Sequence, residues 1–144
     1  LALAGAASLT IVNRGAARGR ELGTLLAGME SPPEVSVEEL GAGFRVPAGA
    51  DLVVNATSIG LYPDVESLVP LSLEDVAGRA LVADVIPNPP ETRFLAVAAD
   101  LGCETIDGLE MLVEQGRIGF ELWTGVEPDV EAMRDALRRA FGVR

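Results

Sequence analysis

The chain predicts an α/β fold built on a mostly parallel sheet, and three observations carry that prediction. Apolar segments at Ser8 to Val12, Asp51 to Ala56 and Ala80 to Ile86 run continuously instead of alternating, as strands do when both faces are covered. Helical stretches at Ala16 to Ala27 and Glu91 to Leu101 separate them, and strands alternating with helices make βαβ units. Hydrophobic residues form 49% of the 144 positions. That is enough for a core, too many for a disordered chain, and the length suits one domain.

Taken in order, Leu1 to Ala4 reads as the last turn of a helix, stopped by Gly5. Ser8 to Val12 is a buried strand. Ala16 to Ala27 is a helix with Leu22, Leu25 and Leu26 on one face and Gly28 at its end. Glu34 to Val37 is a further strand candidate and Ala42 to Gly49 a loop. Asp51 to Ala56 is the next strand, Tyr62 to Pro70 a loop, and Leu73 to Val76 a single helical turn. After the strand Ala80 to Ile86, Pro87, Pro89 and Pro90 break the backbone pattern. Glu91 to Leu101 is a helix ending at Gly102, Glu104 to Ile106 a short strand, and Gly108 to Trp123 and Asp129 to Phe141 are two further helices. No repeat, low-complexity tract or dividing linker is visible.

Composition narrows the function. A formal net charge of −11 argues against nucleic acid, whose binders displace counterions with basic surfaces, and against an anionic membrane. There is one cysteine, Cys103, and no histidine. The first fits a reducing, cytoplasmic setting, and Cys103 itself reads as buried and inert. The second removes the commonest metal ligand and the usual general base, so no metal site is expected. No apolar run approaches the roughly 20 residues of a bilayer span, and Leu1 to Ala7 lacks the basic start and length of a signal peptide.

Three segments carry candidate chemistry. The first strand ends in Asn13 and Arg14, with Arg18 one helical turn on. In a doubly wound fold that strand end lies beside the adenosine ribose, where an arginine suits the 2′-phosphate of NADP. A solvated pair of arginines fits the same residues. The second segment, Asn55-Ala56-Thr57-Ser58, follows a buried strand, where ligand crevices open in α/β sheets. Taken by itself the segment is read more simply as a local cap made by Asn, Thr and Ser. The third is the helix after Asp107-Gly108. Asp107 suits an N-cap and Gly108 a close backbone approach to a ligand. Met111 and Gln115, four apart, share a face, and core packing with a polar edge is the plain alternative. Glu38-Glu39 and Glu74-Asp75 read as solvated, and no carboxylate pair stands out as an acid/base couple.

The order of these segments resembles the C-terminal, NADP-binding half of the shikimate dehydrogenase family. The matching pieces are NRGAAR, DLVVNATSIG, DVIPNPPETRFL, DGLEMLVEQGRIGFELWTG and PDVEAMRDALRRAF. The resemblance implies a Rossmann-like, doubly wound domain over residues 1–144 and NADP as cofactor. It implies that Asn13, Arg14 and Arg18 clasp the 2′-phosphate and adenine, and that Asn55, Thr57 and Ser58 line the cofactor crevice. Val85, Gly108 and Met111 border the nicotinamide, and Gln115 hydrogen-bonds a polyhydroxy-acid substrate. A small molecule is thus the implied partner, and a homodimer is compatible with it.

Departures from the family pattern matter as well. Gly15 stands where the clasp usually has threonine, which removes a hydroxyl. Pro87 stands where a tyrosine often lies near the substrate, which opens a quinate- or shikimate-like dehydrogenase of altered specificity as an alternative. A non-catalytic nucleotide-sensing module is another. The family's first strand, glycine-rich turn and substrate domain, with its catalytic lysine and aspartate, are expected before Leu1. No catalytic residue is therefore expected in this chain, turnover by it alone is not expected, and the strands flanking the missing one should expose unpaired edges.

Overall fold

The computed structural model describes residues 1–41 and 43–142; Ala42, in the expected loop, lies outside them. The described residues form two compact units, Leu1–Phe44 and the remainder from Arg45, where the sequence suggested one undivided domain. The strand pairing gives the reason: the strands form separate small sheets instead of one continuous sheet.

The first unit is a β-α-β unit. A 3-10 turn at Ala2–Ala4 ends on Gly5, whose φ of 86° is the left-handed conformation glycine tolerates. Strand β1 (Ser8–Asn13) pairs in parallel with β2 (Glu34–Glu39), Ser8 opposite Glu34 and Asn13 opposite Glu39. Helix α1 (Ala16–Ala27) connects them. Its packing face differs from the leucine face the periodicity suggested. Leu22 and Leu25 are 47% and 73% exposed, while Gly19 and Gly23 lie over the strands. A Cβ at Gly19 would sit 2.6 Å from Val37 Cγ1, and one at Gly23 3.4 Å from Val37 Cγ2. Missing side chains let the helix backbone settle directly on the valines, which leaves Leu22 and Leu25 outside and Leu26 half-buried.

The second unit opens on Arg45, the end of the short strand β3 (Phe44–Arg45) inside the expected loop, and Val46 N–H donates to the Ser72 carbonyl of β5 (Leu71–Ser72). Two-residue strands carry too little pattern to be read in sequence. Arg45 grips Asp75 through two guanidinium nitrogens at 2.8 Å each and reaches Glu74 at 3.3 Å. The Glu74-Asp75 pair is therefore partnered, not merely solvated. The guanidinium hydrogen bond and charge hold the Asp75 carboxyl below the usual range.

Strands β4 (Leu52–Asn55), β6 (Leu81–Asp84) and β7 (Glu104–Ile106) form a parallel sheet in the order β4-β6-β7. Val82 in the middle strand is fully buried, but Val54 on β4 is 39% exposed, so the continuous apolar run of β4 is covered only in part. Among the described residues β4 pairs only with β6, and β1 only with β2, which leaves each with an unpaired edge.

Helix α2 (Arg93–Asp100) buries Phe94, Leu95 and Ala98. Helix α3 (Gly108–Thr124) buries Leu109 and Val113, four apart on one face. Helix α4 (Val130–Phe141) packs on α3. Arg134 clasps Glu110 through its Nε at 2.8 Å and Nη2 at 3.0 Å, and Met133 fills the space over Gly116. Asp129 caps α4 by accepting from Ala132 N–H at 3.0 Å. Beyond the packed face, Leu122 and Trp123 are 79% and 88% exposed. Among the described residues no helix is long and apolar enough to cross a membrane.

Candidate functional site

At the carboxyl end of β1 the Asn13 side-chain amide donates to the Gly15 carbonyl at 3.3 Å and shapes the turn into α1. The helix starts on Gly15 with no side-chain cap and no acidic residue in its first turn. Its first N–H groups and their partial positive charge therefore face outward. Arg14 and Arg18 are both exposed there, and among the described residues neither makes an ion pair. In a chain with twice as many acidic as basic residues (22 against 11), two unpartnered guanidinium groups beside a bare helix N-terminus make a local patch of positive charge.

The carboxyl ends of β4 and β6 carry a buried polar network. Asn55 is 4% exposed. Its Oδ1 accepts from Thr57 N–H at 3.1 Å and from Thr57 Oγ1 at 2.7 Å, and Thr57 Oγ1 accepts from Ile59 N–H at 3.1 Å. Its Nδ2 donates to Asp84 Oδ2 at 3.0 Å. Thr92 Oγ1 donates to the same oxygen at 2.8 Å and accepts from Leu95 N–H at 3.3 Å as the cap of α2. Ile86 N–H donates to Asp84 Oδ1 at 3.0 Å. The Asn55 side chain is thus engaged inside the protein. Ser58, by contrast, is exposed, and its hydroxyl has no partner among the described residues. The local-cap reading of this segment holds for Asn55 and Thr57 and leaves the Ser58 side chain outside the network.

Asp84 and Thr92 were not singled out from sequence. A carboxylate closing an apolar strand and a threonine just before a helix are the signals that could have found them, since an unpartnered buried carboxylate is costly and threonine is a favoured cap.

The start of α3 meets this network. Asp107 Oδ1 accepts from Leu109 N–H at 3.0 Å and Glu110 N–H at 3.2 Å, so Asp107 is the N-cap. Gly108 is buried, and a Cβ there would lie 2.2 Å from the Ile86 carbonyl oxygen and 2.7 Å from Pro87 N. The close approach Gly108 permits is to the protein's own Ile86–Pro87 peptide. Val85 is half-buried and donates its N–H to the Asn55 carbonyl at 3.1 Å. On α3, Met111 is half-buried and Gln115 exposed. Further along that face Ile118 and Leu122 are 49% and 79% exposed. Cys103 is buried, with Sγ 3.6 Å from the Val76 carbonyl, and so reads as packing.

Residues 108–138 match the family described as the Shikimate 5′-dehydrogenase C-terminal domain. The shikimate dehydrogenase (NADP(+)) of Moorella thermoacetica is 44% identical over 99% of this chain and 48% of its own length. The ligand-free 5-ketofructose reductase of Gluconobacter sp. strain CHM43 superposes with a TM-score of 0.90 at 43% identity, over 97% of this chain and 50% of that one. The shikimate 5-dehydrogenase of Thermus thermophilus, solved with NADP(H) and shikimate, superposes with a TM-score of 0.75 at 32% identity, over 96% of this chain and 48% of that one. The chain spans about half the length of these relatives, and its parallel strands flanked by helices have their Rossmann-like α/β fold. It belongs to the shikimate dehydrogenase family.

Proposed function

We propose that this chain forms the NADP-binding half of an oxidoreductase of the shikimate dehydrogenase type. The reaction moves a hydride between nicotinamide and a ring carbon bearing a hydroxyl or ketone, as between shikimate and 3-dehydroshikimate. NADP, when bound, supplies or takes the hydride; the residues of this chain bind and orient. Arg14 and Arg18, with the open N–H groups of α1, hold the 2′-phosphate, and Asn13 shapes that turn. Asn55 and Thr57 hold the loop after β4 in place and Ser58 presents a hydroxyl to the crevice. Val85, Gly108 and Met111 wall the nicotinamide. Gln115 offers its amide to substrate hydroxyls from the outward face of α3, and the exposed Ile118 and Leu122 beyond it suit closure by the other half of the molecule. The general acid comes from outside these residues. The lone buried cysteine suits a cytoplasmic enzyme.

One observation carries the reading: two unpartnered arginines beside an uncapped helix N-terminus at the end of a parallel strand. The test is steady-state oxidation of shikimate by the full-length protein with NADP and with NAD. Turnover with a clear NADP preference is expected. Turnover on no hydroxy acid with either nucleotide would reject it.

A second reading, reduction of a flexible polyhydroxy ketone such as 5-ketofructose, is favoured by the superposition on the Gluconobacter reductase and by Pro87, which removes a phenol from the substrate side. Parallel assays on both ketones with NADPH decide between them.

A further inference from the structure

Asp84 is the one charged side chain buried among the described residues, at 2% exposure. The bonds around it have a single direction. On one side Ile59 N–H donates to Thr57, Thr57 to Asn55, and Asn55 to Asp84. On the other, Leu95 N–H donates to Thr92 and Thr92 to Asp84. Ile86 N–H reaches the second carboxylate oxygen. Only an acceptor without hydrogens of its own suits the point where these chains converge, because an amide there would set N–H against N–H.

The network also bears on what lies beyond it. By holding Ile86 N–H, Asp84 fixes the Val85–Ile86 peptide and so anchors the residue from which the next peptide, Ile86–Pro87, extends. That next peptide is the surface on which Gly108, and with it the first turn of α3, is seated without a side chain between. The loops after β4, β6 and β7 are therefore mechanically linked through one carboxylate.

We infer that Asp84 is a positioning residue for hydride transfer. It touches neither cofactor nor substrate; it sets Val85, Gly108 and Met111 relative to one another through Asn55, Thr92 and the Ile86 amide. This rests on the reading of those residues as the nicotinamide wall. Its effect belongs in the turnover step, since the 2′-phosphate contacts are made by residues outside the network.

The test uses the full-length protein with Asp84→Asn, Thr92→Val and Thr92→Ser. Reduction of 3-dehydroshikimate and of 5-ketofructose by NADPH is measured beside NADP affinity. Hydrogen exchange is followed in segments 55–60, 86–95 and 108–115. Because displacements near 1 Å can cost on the order of 100-fold in rate, D84N and T92V should lower kcat roughly 10- to 100-fold, with NADP affinity within about threefold of wild type. Exchange should quicken in all three segments. T92S keeps the hydroxyl and should stay within about threefold of wild type in kcat. A folded D84N with wild-type kcat overturns the inference, as does T92S falling as far as T92V. If D84N fails to fold, the Thr92 pair decides. If the wild type turns over neither ketone, the proposed function fails, and exchange decides the inference separately: an unchanged 108–115 segment in D84N or T92V overturns it.

Discussion

Substitution of Gly108 by alanine tests how tightly the start of α3 is seated. Backbone conformation does not forbid alanine there, because Gly108 is not among the glycines with positive φ. The cost is therefore contact alone. The new Cβ would meet the Ile86 carbonyl oxygen at 2.2 Å and its carbon at 2.3 Å. Ordinary contact needs about 3.4 Å, so the overlap is roughly 1.2 Å and the first turn must move by about 1 Å. The obstructing atoms are main chain, in the peptide next to the one whose N–H Asp84 holds, so they cannot swing aside as a side-chain tip can. Overpacking of this kind costs about 1–3 kcal/mol, and the upper part of that range applies here. Alanine's better helix propensity returns about 1 kcal/mol. The expected net loss is about 1–2 kcal/mol, read from urea midpoints of the full-length protein at unchanged m. A displaced Met111 and Gln115 should also lower kcat by up to roughly 100-fold. Gly15→Ala is the control, since nothing lies within 4 Å of a Cβ there. A Gly108→Ala protein as stable as wild type, or more stable, would refute the seating argument.

Further outcomes follow from other parts of the structure. Arg14→Asp replaces a charge-assisted contact worth about 1.5–3 kcal/mol, so NADP affinity should fall roughly 10- to 100-fold while NAD affinity changes little; an unchanged NADP/NAD ratio in calorimetry counts against the clasp. The Arg134 hydrogen bonds are the largest influence on the Glu110 carboxyl and, with the charges of Arg134 and Arg138, hold it below the usual carboxylate range against the opposing effect of burial. The folded pKa is the lower one, so the unfolded state binds the proton first. The contact's contribution is thus full above the ordinary carboxylate pKa and is lost as pH falls through the depressed one. Acid titration monitored by hydrogen exchange in α4 should show release only below the ordinary carboxylate range, and Glu110→Gln should flatten that dependence. The exposed Arg45–Asp75 pair, with side chains 53% and 39% exposed, is well screened. Asp75→Asn should therefore shift thermal stability by less than about 1 kcal/mol, and a larger loss would show the pair to be more than a surface contact.

The sequence revealed elements where residue type and local geometry agree. The β-branched runs of β1, β4 and β6 and the capped start of α3 were legible because Asp107 does in the structure what aspartate does before any helix; Asp129, read as the first residue of α4, is its cap. The helix face of α1 was misread because its packing is made by the absence of side chains at Gly19 and Gly23, which hydrophobic periodicity does not register. The short strands at Arg45 and Leu71 escaped because they depend on partners distant in sequence. At the site, Arg14 and Arg18 were legible as free cations at a strand end. The engagement of Asn55 was not, because it depends on Asp84 and Thr92, which meet it only after folding. Gly108 showed that a glycine chosen for close approach can be answering the chain's own backbone.

The claim on which the rest depends is that the end of β1 and the start of α1 bind the extra phosphate of NADP. Calorimetric titration of the full-length protein with NADP and NAD, repeated at rising salt, tests it most directly. The account predicts binding of NADP at least about tenfold tighter than NAD, with the difference shrinking as salt screens the arginines. Equal affinities for the two nucleotides, or a preference for NAD, would contradict it.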